Sequence, residues 1–139
     1  MKTLKLHLSM GLILGLAFFA GCKKDKAKDT GGNATYKVKF VGTVSAGSSI
    51  KSVSIVYGVN VKSFTALSGT SWTQEMDLKE QELRSFSDNP TKNISFGVQA
   101  DGVNASATGK AEIFVNGTSV KKAEGSGTVL SPNATYIFD

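Results

Sequence analysis

The stretch "KAEIFVNGTSVKKAEG", residues 110–125, is the clearest indication of fold in this sequence of 139 residues. Ala111, Ile113 and Val115 lie at alternate positions, as in a strand that buries one face. Asn116-Gly117 follows directly, and this dipeptide is preferred in two-residue hairpin turns because both residues tolerate positive φ angles. The stretch therefore predicts a β-hairpin.

The same period of two recurs along most of the chain from residue 36 onward. Alternate residues share one face in five further segments: Tyr36, Val38, Phe40 and Val44; Val53, Ile55 and Tyr57; Trp72, Gln74, Met76 and Leu78; Ile94, Phe96, Val98 and Ala100; and Ala134, Tyr136 and Phe138. A second hairpin is predicted around Gly58, and residues 126–130 supply a further short strand. Many short strands with glycine-rich connections are typical of a β-sandwich.

One segment, "DLKEQELRSFSDNP" at residues 77–90, departs from this period. Asp77 and Glu80 have the spacing of a capping box, and Leu83 and Phe86 have helical spacing. We expect the end of a strand and then one or two helical turns, which end at residues 88–90. The pattern as a whole predicts an all-β fold, a single immunoglobulin-like or transthyretin-like β-sandwich of seven or eight strands with one short helical turn, at residues 35–139.

Residues 1–21 have the layout of a secretory signal peptide. Lys2 and Lys5 form a basic start, and residues 8–20 are an apolar run of 13 residues. A membrane-spanning helix needs about 20 apolar residues. The only cysteine, Cys22, follows the small residues Ala20 and Gly21. Cleavage before Cys22 would make it the first residue of the mature protein.

Phe19-Ala20-Gly21-Cys22 resembles the lipobox of bacterial lipoproteins, with Phe19 where that family usually has Leu. The resemblance implies that the Cys22 thiol carries a diacylglycerol and that its freed amine is acylated as well, as with palmitate. Several acyl chains together give stable attachment to a membrane. We therefore expect a protein anchored in the outer membrane of the cell envelope, on its periplasmic face or on the cell surface.

The residues that follow the cysteine are expected to form a tether. Residues 23–34 are charged, contain glycine and lack apolar periodicity, so residues 22–34 are interpreted as lipidated cysteine and flexible linker. Lys2, Lys5 and a net +2 in residues 23–34 account for most of the formal charge of +5, and residues 35–139 carry only +1. Because no basic cluster with interleaved aromatic residues remains, we expect no nucleic-acid partner.

Composition argues against catalysis. His7 is the only histidine and lies in the signal peptide, so the mature chain lacks the usual general base and the usual metal ligands. No nucleophile elbow, phosphate-binding loop or dinucleotide fingerprint is present in the sequence. We expect a protein that is not an enzyme and that holds no metal and no cofactor.

Residues 36–138 resemble a family of small Gram-negative lipoproteins, common among Bacteroidota. The elements that carry this likeness are Tyr36-Val38-Phe40, Val53-Ile55-Tyr57, Trp72 and the hairpin from Ile113 to Gly117. A similar layout occurs in the small membrane-anchored accessory proteins of mycobacterial lipid exporters. The resemblance implies a sandwich near an envelope machine and implies no catalytic residues.

Two groups of residues could bind a ligand. One is an acidic group that could form a cation site or a catalytic pair. Its members are Glu75, Asp77, Glu80 and Glu82. Lys79 and Arg84 are interleaved with these residues, which favours a solvated helix face. Trp72 could stack against a sugar ring, but Met76 and Leu78 share its strand face, which favours a position in the core.

Two other sets of residues have structural interpretations. The three tyrosines, Tyr36, Tyr57 and Tyr136, are expected at the edges of the core. Five Asn-x-Ser/Thr sequences are interpreted as a result of asparagine-rich turns in a bacterial protein, not as glycosylation sites; they begin at Asn33, Asn93, Asn104, Asn116 and Asn133.

The leading functional hypothesis is a non-catalytic binding or interaction module, anchored to the membrane through acyl chains on Cys22. Its partner is an unidentified protein or glycan, and the sequence singles out no ligand-binding residue. One alternative is an accessory subunit of an envelope transporter. Another is a surface glycan-binding module that uses exposed loops and Trp72.

Overall fold

The computed structural model describes residues 34–86 and 89–139. The predicted signal peptide, Cys22 and residues 22–33 of the tether lie outside the described residues. Within them the chain forms ten strands and one short 3₁₀ helix. These are β1 Thr35–Val44, β2 Ser49–Tyr57, β3 Asn60–Phe64, β4 Ser71–Lys79, the 3₁₀ helix Glu80–Leu83, β5 Arg84–Phe86, β6 Asn89–Asp101, β7 Thr108–Val115, β8 Thr118–Ser126, β9 Val129–Leu130 and β10 Asn133–Phe138.

The strands form two antiparallel sheets that pack face to face. The four-stranded sheet has the order β4-β1-β7-β8. The six-stranded sheet has the order β10-β6-β2-β3, and β5 and β9 also pair with β6. The predicted β-sandwich is confirmed. The described part has more strands than the expected seven or eight because β5 and β9, of three and two residues, are too short to show a period of two.

The core lies between the sheets and consists of the alternating residues that the sequence pattern identified. Phe40 of β1 and Phe96 of β6 are fully buried, and their ring centroids lie 5.5 Å apart across the interface. Trp72, Gln74 and Met76 are only half-buried. They lie on β4, which is an edge strand with a neighbour on one side only. Edge position therefore explains why this alternating set is less buried than the others.

Both predicted hairpins are present. Val115 pairs with Thr118 around the Asn116-Gly117 turn, in which φ is +49° and +83°. Tyr57 pairs with Asn60 around a second two-residue turn that begins at Gly58, where φ is +57°.

The helical turn is shorter than the upper expectation of two turns and is capped differently. It ends at Leu83, before the predicted end at residues 88–90. Asp77 lies exposed within β4 and does not cap the turn. The Glu82 carboxylate accepts a hydrogen bond of 2.7 Å from the Lys79 backbone N–H instead. Pairing of β5 with β6 replaces the second helical turn.

Gly58 and Gly117 allow a matched test, since both have positive φ but differ in their surroundings. A Cβ atom at Gly117 would meet nothing within 4 Å, whereas one at Gly58 would collide with the backbone oxygen of Glu82. Gly117→Ala should lower the free energy of unfolding by about 1–2 kcal/mol, the cost of a left-handed residue with a Cβ. Gly58→Ala should cost about 1–3 kcal/mol more, because overpacking is added. Urea denaturation of both variants measures the difference, and equal losses would contradict this account.

Candidate functional site

The outer side of the four-stranded sheet, here called the charged face, carries alternating lysine and acidic side chains. Its ion pairs join Lys39 to Glu75 (3.8 Å), Lys110 to Glu112 (2.8 Å) and Lys122 to Glu124 (3.1 Å). The first pair joins β1 to β4, and the other two lie within β7 and within β8, two residues apart. Neighbouring opposite charges attract one another, and the face balances its own charge. A partner would therefore meet local charge pairs and no strong net field.

Phe114 is an aromatic residue on this charged face, near the end of β7 that leads into the hairpin turn. It lies on the inner strand β7, where its cross-strand neighbours are Lys39 of β1 and Ser119 of β8. It is half-buried, as is Glu112, the previous outward residue of the strand. An aromatic side chain on the solvent side of a sheet contributes nothing to the core between the sheets.

A depression of about 580 Å³ lies beside Phe114, between β7 and the edge strand β4. Its rim carries two lysines and two carboxylates, and Phe114 is the apolar side chain on the outer face, because Val38 and Met76 pack toward the core between the sheets. The residues that line it are Lys37, Val38, Lys39, Glu75, Met76, Asp77, Phe114 and Gly117. An aromatic side chain inside a polar rim is typical of surfaces that bind protein partners. This depression is the candidate site.

Sequence analysis did not identify Phe114. The alternation of Ala111, Ile113 and Val115 places Phe114 among the outward residues of β7. An aromatic residue is unexpected at such a position, and this mismatch could have identified Phe114 from the sequence. The lysines and carboxylates beside it are separated by more than 30 residues in the chain, since β1 pairs with β4 and β7. Their proximity depends on strand order.

The acidic group does not form one solvated helix face, and this prediction is wrong for Glu80. Glu75 and Asp77 are exposed on β4 and Glu82 is half-buried, but Glu80 is only 3% exposed. The 3₁₀ turn directs Glu80 inward, toward the first residues of β6. Because Glu75 and Asp77 lie on a strand and Glu80 and Glu82 on the turn that follows it, the four acids share no single face.

Glu80 is paired within the protein. Its Oε1 accepts a hydrogen bond of 3.0 Å from Arg84 Nη2, and Lys92 Nζ lies 3.6 Å away. The Arg84 hydrogen bond, more than the charge of Lys92, holds the pKa of Glu80 below its usual value despite burial. Lys92 is itself buried and lies in phase with Ile94 and Phe96, so a lysine here interrupts an apolar alternation. The group is a structural ion cluster.

Among the described residues, no group of three or more His, Cys, Asp or Glu side chains could hold a metal ion. The same part of the chain contains no helix that is both long and apolar enough to cross a membrane.

Trp72 lies at the margin of the core. Its ring stacks on Phe96 at a centroid distance of 5.7 Å and an angle of 20°, and Phe64 contacts it at 5.1 Å. One face of the indole is therefore covered by the core. The side chain is half-buried, as expected for a core residue on an edge strand.

The three tyrosines also pack at the core. Tyr57 is buried, and Tyr36 and Tyr136 are half-buried against Phe138 at centroid distances of 4.8 and 4.9 Å.

Three of the Asn-x-Ser/Thr asparagines make side-chain hydrogen bonds within the protein. The Asn116 side chain accepts a hydrogen bond from the Lys37 backbone N–H, and the Asn104 side chain accepts one from the Ser106 backbone N–H. Asn93 is half-buried and donates to Ser85, whereas Asn133 is exposed on β10 and Asn33 lies outside the described residues.

Comparisons of the chain with protein-family models, with curated proteins and with solved structures find no match in any of the three.

The Glu80 cluster predicts a specific dependence of stability on pH. Because the pKa of Glu80 is lower in the folded chain, its ionisation adds stability above the unfolded value of about 4.3, and this stability is lost as pH falls further. Glu80→Gln should lower the free energy of unfolding at pH 7, and the gap from the unchanged protein should close in acid. Denaturation curves across this range measure the gap. Glu75→Gln, in an exposed ion pair, serves as control; a gap of similar size for both variants would contradict the prediction.

Proposed function

We propose that this protein is a lipid-anchored, non-catalytic binding module of the bacterial cell envelope. Acyl chains on Cys22 hold it to the outer membrane, residues 23–34 act as a tether, and the sandwich presents its charged face to a protein partner. The observation that carries the proposal is the depression beside Phe114. It places the aromatic side chain of Phe114 inside a charged rim, on the side of the sheet that faces away from the core.

The anchor rests on the sequence. Phe19-Ala20-Gly21-Cys22 has the arrangement of a lipobox, and residues 36–138 resemble small lipoproteins of Gram-negative bacteria of the Bacteroidota type. A chain tethered by lipid meets its partners at the membrane surface, where even a modest affinity is effective because local concentration is high.

The absence of catalysis is part of the proposal and is supported by the chemistry of the acidic residues. Glu80 is engaged by Arg84 and Lys92, and Glu112 accepts hydrogen bonds from Lys110 and Ser119. The Lys110 hydrogen bond contributes most to lowering the pKa of Glu112, with a smaller contribution from Ser119. A carboxylate held ionised in this way is a poor general acid, because acid catalysis needs a pKa near the working pH.

The anchor can be tested in a Gram-negative host. We expect the unchanged chain in the membrane fraction, with a mass that corresponds to cleavage before Cys22 and acylation. Cys22→Ser should move the protein to the soluble fraction or leave residues 1–21 attached. Protease treatment of intact cells then shows which side of the outer membrane the domain faces. An unmodified Cys22 thiol in the purified protein would overturn the anchor.

The binding surface can be tested by substitution of Phe114. Cross-linking and capture from envelope extracts should retain a partner with the unchanged chain, and Phe114→Ala should lose most of it, since buried aromatic residues dominate interface energies. Ile137→Ala is the control, because Ile137 is also a large apolar residue on an outer face but belongs to the six-stranded sheet. Equal capture by both variants would place the interface elsewhere.

A further inference from the structure

The outer side of the six-stranded sheet, here called the uncharged face, differs in chemistry from the charged face. Its outward positions on β2, β3, β6 and β10 hold hydroxyl, amide and small apolar side chains. They are Ser52, Ser54, Val56, Val61, Ser63, Asn93, Ser95, Gly97, Gln99, Asn133, Thr135 and Ile137. None of these described positions is charged. Lys62 of β3 lies opposite the inward residue Ile55, and Lys51 pairs with Asp101 at one end of the sheet (3.4 Å).

One row of this face forms a trough across four strands. Ser63 pairs with Ser54, Ser54 with Gly97, and Gly97 with Asn133, so the two inner positions of the row hold only serine and glycine. Neighbouring strands lie about 4.8 Å apart, which makes the row roughly 14 Å long. A depression of about 340 Å³ lies over it, lined also by Ser52, Thr65, Gln99 and Pro132.

Gly97 keeps the trough open. A Cβ atom there would lie 3.1 Å from Ser54 Oγ and 3.6 Å from Asn133 Nδ2, and a larger side chain would occupy the middle of the row. Its φ is not positive, so backbone conformation does not require glycine at this position. The absence of a side chain at Gly97 therefore matters for the outer surface, because it leaves the middle of the row open.

The polar groups of the trough are available to a ligand. The side chains of Ser54, Ser63 and Asn133 make no hydrogen bond to the described residues, whereas Ser95 and Thr135 in the next row bond to each other at 2.8 Å. These free groups include both donors and acceptors. The next row of outward residues, on one side of the trough, begins with Val61 of β3 and Val56 of β2, which pair with each other. The trough thus combines a polar floor with an apolar side.

We infer that this trough binds a short segment of a neutral glycan. Hydroxyl groups of a sugar can exchange hydrogen bonds with Ser54, Ser63 and Asn133, and the C–H side of its rings can pack on Val56 and Val61. An anionic chain would find only Lys51 near this face, already paired with Asp101, and burying its charge without a partner would be costly. The inference goes beyond the proposed protein-binding function, because it concerns the opposite face.

The test uses the full chain purified in detergent and a printed array of neutral glucan, mannan, galactan and xylan oligosaccharides, with polygalacturonate and heparan sulfate as anionic probes. Ser63→Lys places a charge at the exposed end of the trough without altering the core. Gly97→Val fills its middle with a residue suited to strands. Thr73→Lys adds the same charge to an exposed strand at the edge of the charged face and is the matched control.

We expect saturable binding to at least one neutral oligosaccharide that persists in about 0.5 M salt, where exposed charges are screened. Ser63→Lys and Gly97→Val should weaken it by about tenfold or more, and Thr73→Lys should leave it unchanged. Binding to anionic probes alone, no saturable binding, or binding that both trough variants retain would overturn the inference. So would a wild-type dimer that Ser63→Lys dissociates, since a second copy would then cover the face.

Phe114→Ala separates the two proposals. It should leave glycan binding intact while it removes the protein partner, so each proposal can fail without the other.

Discussion

The packing of Phe96 against Phe40 is the contact on which the two sheets depend. The sequence has one cysteine and so cannot form an internal disulfide, and two sheets of this size must be held together by apolar contact. Phe96 lies on β6, which pairs with four other strands of its sheet, and Phe40 lies on the inner strand β1. Gly42, one inward position beyond Phe40, brings β1 close to Val98, because a Cβ there would lie 2.9 Å from Val98 Cγ2.

Because the inward residues hold the sheets together, the outward residues contribute little to the packing between the sheets. The two outer faces differ in composition. Lysine and acidic side chains alternate around Phe114 on the four-stranded sheet, whereas hydroxyl and amide groups surround Gly97 on the six-stranded sheet. Each face has one residue of unusual size for its position. Phe114 is larger than a typical solvent-facing strand residue, and Gly97 is smaller than one. Such departures are where function is expected on a rigid scaffold.

Among the residues whose burial the structure describes, the buried charged side chains are Glu80 and Lys92, both in the Glu80 cluster. A buried ion pair is weak support for stability, because the loss of hydration offsets much of the attraction. Its geometric effect is clearer: Glu80 links the 3₁₀ turn to Lys92 at the start of β6, and Arg84 joins from β5. The cluster thereby fixes the chain where it crosses from the four-stranded to the six-stranded sheet.

Local patterns in the sequence determined the inward residues of the long strands, both hairpin turns and the presence of two apolar faces that must pack together. They also carry everything that is proposed about Cys22, which the described structure does not include. These features depend on neighbours in the chain: alternation sets which side of a strand is apolar, and a two-residue turn needs only its own φ angles. Only the tertiary structure decided that Glu80 is buried, that Phe114 lies beside Lys39 and Glu75, and that Ser63, Ser54, Gly97 and Asn133 form one row. Each of these depends on strand order and register, which are set by packing between residues far apart in the chain.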